Sequence, residues 1–404
     1  MIRLALVLTL VATMSPIVSH ADPKDDAFAI WLDAFKTRAL TTGISAEVLE
    51  QAFAGVSYDP KVIEKDRNQT EFSKPIWEYL TKAVSDDRIR DGAKALKDNA
   101  ALLAKIENTY GVDAQIVTAI WSLESANGRV RGDFPVFEAL STLAFDARRA
   151  DLFSAQLMVA LQIVQEGDAS VAEMKGSWAG AMGHTQFMPI SYLAYAQDFD
   201  GDGRRNIWGD DPTDALASTA AYLARHGWKH GQPWGYEVTL PKGFDYAQSS
   251  EAVRKTPADW KALGIARPDG AALTGDGMAS VLLPASAEGV AFLIFDNFHA
   301  IEAYNTADAY VIAVGHLGDR MLGGADFVGT WPVDERALTF DEKRELQALL
   351  RDVGFDPGSV DGIMGPNTIQ AVRAWQAAQK LAADGFASTR LLERLRDSSK
   401  VKKP

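Results

Sequence analysis

The chain has 404 residues, 47% hydrophobic and 24% charged, and carries a formal net charge of −13 with no cysteine. Its length accommodates two or three globular domains with sizeable cores. The acidic balance, with no basic stripe to meet phosphates, excludes a general nucleic-acid binder. The missing cysteines exclude disulfides, thiol nucleophiles, Cys-based zinc sites and lipid attachment at an N-terminal cysteine.

Residues 1–21 open with Met1-Ile2-Arg3, run apolar from Leu4 to about Val18 and end Ser19-His20-Ala21 before acid-rich Asp22 to Asp26. This pattern of positive start, apolar run and small-x-small end predicts a signal peptide cut after Ala21, hence a soluble, periplasmic protein. As a membrane anchor the run is short and is interrupted by Thr13 and Pro16, and no later stretch is long enough to span. Helical patterns follow. Phe28, Trp31, Leu32 and Phe35 form one stripe and Phe72, Ile76, Trp77 and Leu80 another, with Pro60 and Pro75 as helix starts and a further helix over Ala93 to Tyr110.

The next stretch carries the first chemical signal. A helix over Val112 to Leu123, with Asp113 as N-cap and Asn127-Gly128 as stop, puts Val117, Ile120, Trp121 and Glu124 on one face. A carboxylate thus sits among apolar positions, where burial disfavours the ion and suits a general acid; the plainer alternative is an acid at a frayed helix end. Helices over Phe137 to Asp146 and Leu152 to Glu166 lead to a glycine-rich segment from Gly176 to Pro189, whose small residues permit close backbone approach while Ser177, His184, Thr185 and Gln186 offer hydrogen bonds. Asp198, Asp200 and Asp202, with Gly203 next, match the start of a calcium loop, although Gly209 stands where its last acid belongs. Six scattered His without a His-Glu-x-x-His motif argue against a catalytic zinc.

Asp214 to Gly227 reads as a helix with Tyr222 and His226 as cleft candidates. Residues 236–295 change character to a small α/β insertion: strands at Tyr236 to Leu240, Met278 to Leu283 and Val290 to Phe295, with a helix at Pro257 to Leu263. One helix is expected from Phe298 to Leu317, including Tyr304 and Tyr310. Residues 318–337 read as a linker, and 338–397 as a compact three-helix bundle joined by Asp-Gly turns, without an acid-base pair and so a binding module.

Five motifs in order carry a family resemblance: Ile-Trp-Ser-Leu-Glu-Ser (120–125), Gly-Ser-Trp-Ala-Gly-Ala-Met-Gly-x-x-Gln-Phe-Met-Pro (176–189), the Asp-x-Asp-Gly-Asp-Gly loop (198–203), Tyr-Leu-x-x-His-Gly-Trp (222–228) and Tyr-Asn (304–305). From about Asp25 to Leu317 the chain resembles the membrane-bound lytic murein transglycosylase B family, which cleaves bacterial peptidoglycan. Its last segment resembles the peptidoglycan-binding domain of cell-wall enzymes, through Leu-Gln-x-Leu-Leu (346–350) and Asp-Gly-x-x-Gly-x-x-Thr (361–368). The resemblance implies a mainly α, lysozyme-like α+β catalytic domain over 22–317, Glu124 as catalytic acid/base, and Ser177, Gln186, Tyr222 and Tyr304 lining the glycan cleft. It also implies a structural calcium held by Asp198, Asp200, Asp202, the Arg204 carbonyl and Asp214, with two extra residues, Gly209-Asp210, ahead of that last acid. No cofactor is expected for the chemistry. The partners expected are peptidoglycan glycan strands and neither nucleic acid nor membrane; the sequence leaves proteins of wall synthesis or division undetermined.

Ordinary glycosidases use two carboxylates. One central Glu implies instead that Glu124 protonates the oxygen leaving muramic-acid C1, then takes the proton of the sugar's 6-hydroxyl as it closes on C1, leaving a 1,6-anhydro end. Two alternatives stand beside this: a lysozyme-type muramidase using Asp133, Glu138 or Asp146 as second acid, and a non-catalytic wall-binding scaffold.

Overall fold

The structure, a computed structural model, describes residues 23–67, 74–146 and 148–401, so the expected export segment and Phe72 lie outside the described residues. Helices α1 (Pro23–Thr41), α2 (Ala46–Ala52), α3 (Pro60–Arg67), α4 (Ile76–Ala83), α5 (Asp86–Asp98) and α6 (Ala100–Tyr110) come first. Their apolar stripes face inward: Phe28, Leu32 and Phe35 of α1 are buried, and Trp31 stacks between Phe28 and Phe35 with ring centroids 5.9 and 5.6 Å away. Pro60 opens α3 and Pro75 caps α4, as a residue without an N–H is suited to do.

Helix α7 (Ala114–Ser125) is the axis of the molecule. Every residue from Ile116 to Ser122 is buried, which marks a helix enclosed on all sides. Asp113 occupies its N-cap position but makes no capping bond. Its carboxylate instead accepts from the Trp228 indole (2.7 Å) and the Gly231 N–H (3.3 Å). The helix stops because Ala126, Asn127 and Gly128 are all left-handed, with φ of 51°, 58° and 81°.

Beyond that turn lie β1 (Phe134–Pro135), α8 (Val136–Phe145), α9 (Ala150–Glu166), β2 (Lys175–Gly176), α10 (Pro189–Tyr195) and α11 (Thr213–Arg225). β1 and β2 pair antiparallel, Phe134 opposite Gly176, which brings the segment after α7 against the glycine-rich segment. The insertion contributes β3 (Gly235–Val238), α12 (Pro257–Ala262), β4 (Ser280–Leu282) and β5 (Ala291–Ile294) as an antiparallel sheet of order β3-β5-β4. It has its own core around fully buried Trp260, whose indole donates to Ala279 O.

The helix expected over Phe298 to Leu317 is two helices, α13 (Asp296–Glu302) and α14 (Asp308–Met321). Nothing in Ala303 to Ala307 forbids a helix locally; the break is imposed by tertiary hydrogen bonds, because Tyr222 donates to Ala303 O (2.5 Å) and Tyr304 to Thr185 O (2.5 Å). Asn305 then accepts from Ala307 N and turns the chain into α14.

Helices α15 (Phe340–Asp352), α16 (Pro366–Ala378) and α17 (Thr389–Val401) enclose a separate core of Leu346, Leu350, Val372, Trp375 and Leu392. Two like clasps hold it. Buried Gln347 donates to Asp361 Oδ1 and accepts from Gly362 N; Gln376 does the same with Asp384 Oδ1 and Gly385 N. The Asp-Gly turns are therefore fixed by a glutamine from a neighbouring helix, and both glycines need their left-handed φ of 78° and 80°. This bundle docks on the insertion: Asp384 accepts from Ala287 N, Arg373 donates to Ser249 O and Arg390 pairs with Glu288. Among the described residues no helix is long and apolar enough to cross a membrane.

Candidate active site

Glu124 sits half-buried on the last turn of α7, two residues before the left-handed turn begins at Ala126. The hydroxyl of buried Tyr310, from α14, donates to its Oε1 at 2.6 Å. Burial, and then the charge of Glu124, push the Tyr310 phenol far above the ordinary tyrosine range, so it stays an O–H donor at any working pH. Tyr304 faces the same charge and is raised for the same two reasons in the same order.

The two sequence motifs around the acid are bolted together. Ser125, next to Glu124, donates to His184 O (2.5 Å) and accepts from Gly128 N (2.9 Å). Trp121 Nε1 donates to His184 Nδ1 (3.0 Å), which leaves the imidazole proton on Nε2, where Gly209 O accepts it at 2.7 Å. Burial lowers the His184 pKa, more than its bond to Gly209 raises it, so the ring is a neutral strut. A Cβ at Gly128 would lie 2.5 Å from His184 Nδ1, and one at Gly176 2.0 Å from Ala181 O; both positions are glycine for lack of room.

The other residues expected to line a cleft have several of their polar groups already engaged. Ser177 Oγ accepts from the N–H groups of Ala179 and Ala181. Gln186, itself left-handed at φ 54°, donates through Nε2 to Arg131 O and Gly183 O. Tyr222 packs edge-on against Tyr304 with centroids 5.0 Å apart and stacks on His226 at 4.1 Å. Its hydroxyl fixes the break between α13 and α14, so Tyr222 supports Tyr304 from behind.

Several residues here carried no local sequence signal. Tyr310 lies 186 residues from Glu124 and reads in sequence as one more helix residue. Asn127 is more unusual: among the described residues both ends of its buried amide lack a partner, as do the buried hydroxyls of Ser122 and Thr185. An unsatisfied buried polar group costs about 1–3 kcal/mol, so three in segments flanking Glu124 mark a place organised for something other than stability. The acids that could have provided a second carboxylate are otherwise placed: Glu138 accepts from Ser57, Asp146 pairs with Arg67, and Asp133 is exposed.

In the acidic loop the ligand atoms of Asp198, Asp200 and Asp202 lie within 4.8 Å of one another. Arg204 turns its side chain away to Asp168 O and Glu173. Asp214 is buried behind the loop, with Oδ1 accepting from Phe199 and Asp200 N–H and Oδ2 from Asn206 N–H. Burial raises its pKa although these bonds oppose the shift. The three loop carboxylates and the Arg204 carbonyl suit a hard cation; Asp214 serves the loop backbone.

Residues 27–319 match the family described as transglycosylase SLT domain, and residues 341–395 match a peptidoglycan binding domain. The chain is 34% identical over 250 residues to the membrane-bound lytic murein transglycosylase B of Escherichia coli K12, a match covering 60% of this chain and 66% of that protein. Among solved structures, SltB3 of Pseudomonas aeruginosa in complex with NAG-anhNAM-pentapeptide superposes with a TM-score of 0.88 at 46% identity, covering 91% of this chain and 99% of that one. The E. coli lytic transglycosylase SLT35 in complex with calcium gives 0.62 at 28% identity, covering 74% and 93%. With its lysozyme-like helical fold, its one acid on the buried α7 and a second helical module behind it, the chain belongs to the SLT-domain transglycosylase family of lytic murein enzymes.

Proposed function

We propose that the protein is an exported lytic transglycosylase that cuts the MurNAc-GlcNAc β-1,4 bond of peptidoglycan and leaves 1,6-anhydroMurNAc ends, with Glu124 as the only acid/base. The observation that carries this reading is the half-buried Glu124 carboxylate held by the buried Tyr310 hydroxyl, with Glu138 and Asp146 engaged elsewhere and Asp133 exposed. The C-terminal end of α7 opposes negative charge at this position, while the Tyr310 O–H supports it.

In the first half-reaction neutral Glu124 gives its proton to the glycosidic oxygen as the bond to C1 breaks. In the second, the carboxylate takes the proton of the muramic 6-hydroxyl while that oxygen bonds C1. A hydroxyl already tethered to the ring has a high effective concentration, which replaces the activated water of a hydrolase. The Gln186 Oε1 and the Ser177 hydroxyl proton are the polar groups offered to sugar and acetamide, and Tyr304 shapes the wall beside C1. Asp198, Asp200, Asp202 and the Arg204 carbonyl would hold a structural calcium, whose chemistry is limited to neutralising the loop. The 341–395 module would retain the enzyme on glycan strands.

Glu124→Gln tests the assignment. General acid-base catalysis contributes roughly 10²–10⁴ in rate, so release of soluble fragments from sacculi should fall at least that far while the fold is unchanged. Near-normal lysis by the variant would remove Glu124 from the chemistry.

A further inference from the structure

We propose that Glu251, His299 and Glu302, with Asp308 beside them, form a binding site for one divalent transition-metal ion, zinc being the best chemical match. One ligand atom from each of the first three lies within 4.8 Å of the others. They come from separate places: Glu251 from the insertion, His299 and Glu302 from one face of α13 at i, i+3, and Asp308 from the first turn of α14.

The electrostatics of the cluster are those of a site that wants a cation. His299 Nδ1 and Glu302 Oε2 are 2.9 Å apart. Among the described residues, the carboxylates of Glu251 and Asp308 accept no hydrogen bond and meet no lysine or arginine. Arg254, the nearest cation in sequence, is engaged by Asp296 and Met278 O. Asp308 faces Glu251, Glu302 and His299. Carboxylates gathered with one imidazole and no counter-charge gain from a divalent ion what they lose by mutual repulsion.

Ligand chemistry separates this site from the acidic loop. Asp198, Asp200 and Asp202 offer only hard oxygens and suit calcium, whereas an imidazole with carboxylates suits zinc. The position has a mechanical consequence: ligands on α13, α14 and the insertion bracket Ala303–Ala307, the connection that carries Tyr304. A bound ion would staple that connection in the arrangement Tyr222 already favours.

The experiment is isothermal titration of zinc chloride into the full-length protein in excess calcium, which keeps the acidic loop occupied, with cobalt substitution to report the ligand field. The expected result is one saturable site, weakened at least tenfold by His299→Ala and by Glu302→Gln, and unaffected by His230→Ala, which removes the other His-carboxylate group at Glu107 and Asp113. Glu251 is exposed, so Glu251→Gln probes the site without threatening the fold and should weaken it by a similar factor. Cobalt should show visible bands of a low-coordinate site that His299→Ala abolishes. Absence of saturable zinc binding, or binding indifferent to both His299→Ala and Glu251→Gln, overturns the proposal.

Discussion

Tyr310→Phe isolates one hydrogen bond at Glu124, the proposed acid/base. The substitution keeps the buried ring and removes only the O–H that donates to Glu124 Oε1 at 2.6 Å. Hydrogen bonds to charged groups contribute about 1.5–3 kcal/mol, and each 1.36 kcal/mol is a decade in rate, so turnover should fall roughly 10- to 150-fold. Tyr304→Phe is the internal comparison. Its hydroxyl donates to a neutral carbonyl, Thr185 O, a bond of about 0.5–1.5 kcal/mol, which predicts a loss of only about 2- to 13-fold from this source. The assay is the initial rate of soluble muropeptide release from purified sacculi, with thermal melting as a fold control. A Tyr310→Phe rate within twofold of wild type would refute the claim that Tyr310 sets the acid. So would a consistently larger loss in Tyr304→Phe, which would move the electrostatic role to the other phenol.

Three further outcomes follow from separate parts of the molecule. Buried Asp66 holds Arg148 (2.5 Å) and Arg149; burial works to raise its pKa, and the two arginines outweigh it and lower it. A depressed folded-state pKa gives stability that is present above the ordinary 3.8 and lost as pH falls toward the folded value, so Asp66→Asn, which leaves two solvent-exposed arginines, should cost about 1.5–3 kcal/mol at neutral pH in urea unfolding, with the gap to wild type narrowing below about pH 4. Calcium at 100 times its dissociation constant should stabilise the protein by about 2.7 kcal/mol, and Asp200→Asn should remove most of the rise in melting temperature. Ending the chain after Val333 should leave turnover of a short soluble glycan intact and reduce sacculus retention, because the C-terminal bundle has its own core; equal loss of both would make the bundle part of the catalytic fold.

What the sequence showed well was local. Acid among apolar positions on α7, the stop at Asn127-Gly128 and the short strands of the insertion are all periodicities or turn chemistry within a dozen residues. Legibility failed wherever a distant partner decided the outcome. Ala303 to Ala307 contains neither Gly nor Pro, and is broken by hydroxyls from Tyr222 and to Thr185. Asp113 stands at the N-cap, yet Trp228 and Gly231 claim its carboxylate. Asp214 looked like a metal ligand by spacing, while three backbone N–H groups take its oxygens. The polar residues interleaved with glycine have a clearer meaning in three dimensions: Ser177 accepts from the Ala181 N–H and Gln186 donates to Gly183 O, so both tie the glycine-rich segment together.

The central claim is that one carboxylate and the substrate's own hydroxyl replace two carboxylates and water. Digestion of purified sacculi in ¹⁸O-labelled water, followed by mass spectrometry of the released muropeptides, tests it directly. The account predicts anhydro ends without label at the cut made by wild-type protein, and no such fragments from Glu124→Gln. Fragments heavier by one labelled water at every cut would contradict it and make the protein a hydrolase.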